Sequence, residues 1–187
     1  MYRALTLAAL DSGVALEDEQ EMAKLAESGR VVYRFASDGG VGIAIDGEDV
    51  ASRLRLAQVD AGVSTTAAHP AVRAILVARQ RELAGQAPIV MVGRDIGTVV
   101  LRDAELKIYL TASAEERARR QREEYIKLGI GGTLDEILTA IRRRDQIDSG
   151  RVDSPLKPAD DSVLLDSDHK SVEQVVDEIL ELAVSRR

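Results

Sequence analysis

The chain has 187 residues, 45% of them hydrophobic and 30% charged, which is ordinary for a soluble globular protein of one domain and enough to bury roughly 70% of its unfolded surface. It has no cysteine and only two histidines, His69 and His169, which excludes a disulfide framework, a thiolate or His-rich metal centre and a cysteine nucleophile. Acidic residues outnumber basic ones 32 to 25, for a net charge of −7, so there is no basic footprint for gripping nucleic acid. No apolar run reaches membrane-spanning length, and MYRALTLAALDSG is too polar for a secretory signal. A cytoplasmic location is the default.

In chain order, residues 2–10 read as a helix without a preceding cap, and residues 17–28 as a second, polar helix ended by Gly29. The period then changes. VVYRFA, GVGIAID and EDVAS are short strand-like runs separated by Ser37–Gly40 and Asp46-Gly47, the pattern of an antiparallel meander over about 31–51. Residues 56–68 and 71–84 read as helices on either side of His69-Pro70, a favourable helix start. Three short apolar runs follow, at 88–92, 106–110 and 163–166, each leading into polar residues and a helix. That is the pattern of parallel strands buried on both faces, with ligand groups at their C-terminal ends. Capping boxes are expected at Ser113 with Glu116, Thr133 with Glu136 and Ser171 with Gln174.

Of the 25 basic residues, 20 are arginine and 5 are lysine. Guanidinium forks pair bidentately with phosphate or carboxylate, which suits a small anionic ligand in an acidic protein. Residues 117–151 concentrate them: Arg117, Arg119, Arg120, Arg122, Arg142, Arg143, Arg144 and Arg151. Ion pairs with Glu115, Glu116, Glu123 and Glu124 on a solvated helix account for about half, by i,i+3 and i,i+4 spacing. The remainder suit a cationic lid over phosphates.

The segment VGRDIGTVVLRDAELKIYLTASAEERARR closely resembles the cytidylate kinase family, in which GRD-[IM]-GTVV precedes a PDA-x-x-K-[IF]-[FY]-L strand and a TAS-x-x-x-RA-x-RR helix start. RRRDQIDSGRVDSPLKPADDSVLLDS is similar to the family's lid and tail, MYRAL at 1–5 to its TGAMYRAL, and Gly47-Glu48-Asp49-Val50 to its GEDV segment. The resemblance covers essentially the whole chain.

It implies an α/β fold: a three-layer P-loop nucleoside monophosphate kinase core around a parallel sheet, with a small antiparallel β insert and a helical lid. The core would comprise residues 1–30 and 52–187, the lid about 117–151, and the insert 31–51 of the CMP-binding region. The activity implied is phosphoryl transfer from ATP, with Mg²⁺, to CMP or dCMP, by a monomeric enzyme without nucleic-acid or membrane partners. Tyr2 and Arg3 match the acceptor-phosphate segment. Ser64 and Arg73 fall where the family contacts cytosine. Arg94 resembles the acceptor-phosphate ligand, and Asp95 the acceptor from the cytosine amine. Asp148 matches the ribose contact. Arg144 and Arg151 match the lid arginines, and Arg120 the basic start of the lid. Ile147 stands where some members carry another lid arginine.

The chemistry agrees from below. A carboxylate accepts from the N4 amine of cytosine and repels the oxygen of uracil. Phosphoryl transfer asks mainly for positioning and for charge on the transferred group.

One part of the pattern is missing. None of Lys24, Lys107, Lys127, Lys157 and Lys170 lies in a G-x-x-x-x-G-K-[ST] phosphate loop. The expectation is therefore a chain truncated at its N-terminus, lacking its first two strands and P-loop and defective in ATP binding. Two alternatives follow: a non-catalytic CMP-binding remnant, or a structural or interaction protein completed by another chain.

Overall fold

A computed structural model describes residues 1–35, 41–127, 129, 131–150 and 157–186. Its first helix, α1 (Tyr2–Ser12), buries every residue from Ala4 to Ala9. A helix apolar all round belongs inside a core. Gly13 ends it at φ 69, and the Val14 N–H closes back on the Ala9 carbonyl at 2.9 Å in a Schellman motif. Helix α2 (Glu19–Glu27) starts at Asp18, whose carboxylate accepts from the Gln20 and Glu21 N–H groups, each at 3.1 Å.

Strands β1 (Val31–Phe35) and β2 (Val41–Ile45) pair antiparallel, from Val31 opposite Ile45 to Phe35 opposite Val41. Their connection, with the expected turn at 37–40, lies outside the described residues. β2 continues into β3 (Glu48–Asp49) through Asp46-Gly47, at φ 51 and 88, the two positive angles of a type I′ hairpin. The third strand is shorter than the run EDVAS suggests. The Asp49 carboxylate accepts from the Ala51 N–H at 2.9 Å and turns the chain into a 3₁₀ turn over Ala51–Arg53.

Helices α3 (Ala57–Thr66) and α4 (Pro70–Ala84) pack on α1 and α2 respectively. Leu5, Leu7, Met22, Val59, Val72 and Leu76 form the fully buried centre. The α1–α3 seam is close: a Cβ on Gly62 would press on Leu16 and Thr6. A buried polar pair crosses the same seam, Thr6 Oγ1 to Thr66 Oγ1 at 2.9 Å, and Thr6 Oγ1 also reaches the Tyr2 carbonyl at 2.9 Å. All of this belongs to one of two compact units, Met1–Ile89; the other is Val90–Arg187.

The second unit holds a parallel pair, β4 (Ile108–Thr111) and β5 (Val163–Asp166), in register from Ile108 opposite Val163 to Thr111 opposite Asp166. Just before them, Lys107 Nζ grips the two oxygens of Asp161 at 2.9 and 2.7 Å. Helix α5 (Ala114–Lys127) follows β4, α6 (Leu134–Ser149) packs on α5, and α7 (Val172–Ser185) follows β5. The chain is thus mixed α/β with a two-stranded parallel sheet, consistent with a kinase fold.

Two expectations are corrected here. Residues 88–92 do not form a strand, and Val90 and Val92 are more than nine-tenths exposed. An apolar run becomes a strand only where a neighbour takes its backbone N–H and C=O groups, and among the described residues β4 pairs only with β5. The capping boxes at Thr133 and Ser171 form in full, but the one at Ser113 is half made. Ser113 Oγ accepts from the Glu116 N–H at 3.1 Å, while the Ser113 N–H donates to Asp168 at 2.8 Å because arginines hold the Glu116 carboxylate.

Candidate functional site

In the first unit, Tyr2 opens α1 and its ring lies 5.9 Å from the guanidinium carbon of Arg73, a buried residue of α4. A cation over an aromatic face is a favourable place for a desolvated guanidinium. Arg3, one residue on, donates from Nη1 to the Leu54 carbonyl at 2.9 Å and forms an ion pair with Asp60 of α3. Ser64 sits half-buried on the same helix. The structure therefore brings Tyr2 and Arg73 together, and ties Arg3 to α3 through an acidic residue that no local spacing had marked.

In the second unit, Gly93-Arg94-Asp95 leads into a single π-helical turn over Ile96–Val100. The Asp95 carbonyl anchors that turn, accepting from the Val99 N–H at 2.8 Å and the Val100 N–H at 3.3 Å, while the Asp95 carboxylate makes no capping bond. Gly93 allows the close approach: a Cβ there would lie 2.8 Å from Ile96 Cγ1. Such π turns recur at functional sites because they re-aim side chains that a regular helix would not.

Arg144 lies half-buried on α6. Its neighbour Asp145 accepts from Arg117 Nη1 and Nη2 at 2.9 and 2.6 Å, a bidentate pair joining α5 to α6. Arg117 Nε also donates to the Ala112 carbonyl, just beyond β4, at 3.2 Å. The Arg117 hydrogen bonds, then the charges of Arg117, Arg94 and Arg144, hold the Asp145 carboxyl below the usual carboxylate range. Asp145 falls within the lid segment that resembles the family, but no helical spacing predicts its pairing with Arg117, 28 residues away.

Arg120 is engaged in the fold. It donates from Nε to Glu116 at 2.9 Å, from Nη1 to Ser167 Oγ at 3.0 Å and from Nη2 to the Ser167 carbonyl, tying α5 to the turn after β5. Asp148 lies on α6 with its side chain outside the described residues, and Arg151 lies outside them altogether. His69 Nε2–H donates to the Leu16 carbonyl at 2.7 Å.

Glu116 is the strongest electrostatic feature. Its side chain is 7% exposed, and hydrogen bonds from Arg119 and then Arg120 lower its pKa to about 2, against the opposing effect of burial. A carboxyl with a depressed native pKa stabilises the fold above its unfolded value of 4.5. That stability is lost as pH falls from about 4.5 towards about 2. The acid limb of unfolding, followed by circular dichroism, should be less steep in Glu116→Gln; an unchanged limb would show that other carboxyls set it.

A model of the family described as cytidylate kinase matches residues 1–185. The cytidylate kinase of Geobacillus sp. (strain WCH70) is 46% identical over 186 residues, covering 100% of this chain and 83% of its own. That of Bacillus pumilus (strain SAFR-032) is 47% identical over 184 residues, 98% of this chain and 81% of its own. That of Rhodococcus jostii (strain RHA1) is 47% identical over 188 residues, 100% and 81%. These matches show that the chain belongs to the cytidylate kinase family, nucleoside monophosphate kinases that act as phosphotransferases.

Proposed function

We propose that this chain carries the acceptor side of a cytidylate kinase, binding CMP or dCMP for phosphoryl transfer from ATP. The observation that supports it most is the match of the cytidylate kinase family model to residues 1–185, with Gly93-Arg94-Asp95 leading into a π turn in the second unit. In the second unit Asp95 accepts from the cytosine amine; in the first, Ser64 and Arg73 take the cytosine-contact roles that the resemblance implies. Tyr2, Arg3 and Arg94 serve the acceptor phosphate, and Asp148 the ribose. Arg144 and Arg151 act on the phosphates, and Arg120, at the basic start of the lid, acts with them. Concentrated guanidinium charge is what a transferred phosphoryl group requires. Residues 31–51 act as an insert of the CMP-binding region and 117–151 as the lid.

The donor side is different. The 187 residues contain no G-x-x-x-x-G-K-[ST], so the backbone cradle, lysine and Mg²⁺-ligating hydroxyl of that loop are not among them. The described residues also contain no group of three or more His, Asp or Glu suited to hold a metal. In this reading Mg²⁺ arrives with ATP, as the resemblance implies, and these residues supply no G-x-x-x-x-G-K-[ST] phosphate cradle. On its own, the 187-residue chain binds ATP poorly.

Calorimetric titration with CMP, dCMP, UMP and AMP, beside a coupled assay for ADP release with ATP and Mg²⁺, tests both halves. The expected result is preferential binding of the cytosine nucleotides with little turnover. Equal affinity for all four nucleotides refutes the acceptor reading, and robust turnover refutes the donor reading.

A second reading has its own observation. No residue of α7 is buried, and Val172, Val176, Leu180 and Val184 form an exposed apolar stripe at four-residue spacing. Together with the unpaired edge of β4 among the described residues, this favours a sheet completed by another polypeptide. Sedimentation of the chain from its source cells distinguishes the two: an obligate complex supports the second reading, and a monodisperse CMP-binding monomer the first.

A further inference from the structure

We infer that Asp60 of α3 is a positioning residue for the acceptor phosphate: its carboxylate, paired with Arg3, holds that guanidinium at a fixed place beside the helix that carries Ser64. The inference rests on the phosphate role proposed above for Arg3.

Arg3 is gripped at both terminal nitrogens. Nη1 donates to the Leu54 carbonyl at 2.9 Å, and Nη2 pairs with Asp60 Oδ1. One acceptor closes the 3₁₀ turn before α3, and the other stands in the first turn of α3 itself. A planar guanidinium held at two points keeps one orientation, and two contacts use only part of its donor set. The Arg3 side chain is 34% exposed, so a ligand can still reach it. Asp60 and Ser64 are four residues apart on α3, which puts them on one face, one turn from each other. The carboxylate thereby fixes the span between a phosphate contact and a base contact. The fold does not depend on the pair. α1 and α3 are already joined by the buried Thr6–Thr66 hydroxyl bond at 2.9 Å and by the close seam at Gly62. An ion pair about a third exposed on both sides stabilises a fold little. A free arginine, by contrast, gives up its rotamer freedom when it binds. Asp60 removes that freedom before the ligand arrives.

The experiment compares CMP with cytidine, which has the same base and ribose and no phosphate, by calorimetric titration of the full 187-residue chain. Asp60→Asn is expected to weaken CMP binding about two- to tenfold, as for one arginine left to be ordered by its ligand, with cytidine binding unchanged. Asp60→Glu should keep part of the CMP affinity. In an Arg3→Ala background, Asp60→Asn should have no further effect on CMP, because Asp60 acts through Arg3. Asp11→Asn is the control. It cuts the Arg53–Asp11 pair at 2.7 Å, which also joins α1 to the residues before α3 at similar exposure, and it should change neither ligand. Where Asp60→Asn does not fold, Asp60→Ser carries the same test. Failure of the unaltered chain to bind CMP overturns the acceptor reading and this inference with it. Where that chain binds CMP, three results overturn the role of Asp60 alone: unchanged or tighter CMP binding in Asp60→Asn, equal losses of CMP and cytidine, or an undiminished effect in the Arg3→Ala background.

Discussion

Asp95→Ala is expected to weaken CMP binding by about 10- to 100-fold, the 1–3 kcal/mol that a matched hydrogen-bonded base contact supplies, while UMP affinity stays within about twofold. The asymmetry follows from hydrogen-bond direction. The N4 amine of cytosine donates, a carboxylate only accepts, and the corresponding uracil oxygen has nothing to donate. The π turn after Asp95 is anchored by its backbone carbonyl, which the substitution keeps. Parallel titrations of the variant with CMP and UMP measure the effect. Equal losses for the two nucleotides would falsify the base contact and leave Asp95 as a scaffold residue.

Leu7→Ala is expected to cost about 2–5 kcal/mol of stability, the range for emptying a leucine site in a close-packed core. That is a large share of the roughly 5–15 kcal/mol that holds a typical domain together. Leu7 is fully buried and lies in the middle of a helix whose residues 4–9 are all buried, so no neighbour can swing in from solvent to fill the space. Val176→Ala on α7 is the control. That side chain is 46% exposed, and truncating it should change stability little. Urea unfolding followed by circular dichroism measures both, and equal small losses would show that α1 is not the centre of its unit.

Local chemistry made some of the fold legible and left other parts dark. The apolar run in α1, the Pro70 helix start, the Asp46-Gly47 hairpin and the Thr133 and Ser171 caps each depend on residues within four positions of one another. Sequence alone is sufficient for such features. Residues 88–92 failed for the opposite reason: a strand is a property of a pair, and the run's own apolar character says nothing about whether a partner is present. Ser113 shows competition, since its spacing to Glu116 is right but Arg119 and Arg120 take the carboxylate. The site divides in the same way. Arg94 and Asp95 stand in a contiguous motif, whereas Arg117–Asp145 and Arg3–Asp60 join residues far apart in the chain.

The edge of β4 and the apolar stripe of α7 also bear on the colloidal behaviour of the chain. Two copies meeting there would gain backbone bonds and apolar contact, and at neutral pH the net charge of −7 sets a long-range repulsion against that gain. That repulsion vanishes near the pI of about 5.0 and is screened beyond about 10 Å at 0.1 M salt. The acidic surface therefore opposes self-association at these groups, and dilute, low-salt buffer well above pH 5 is where that opposition is strongest.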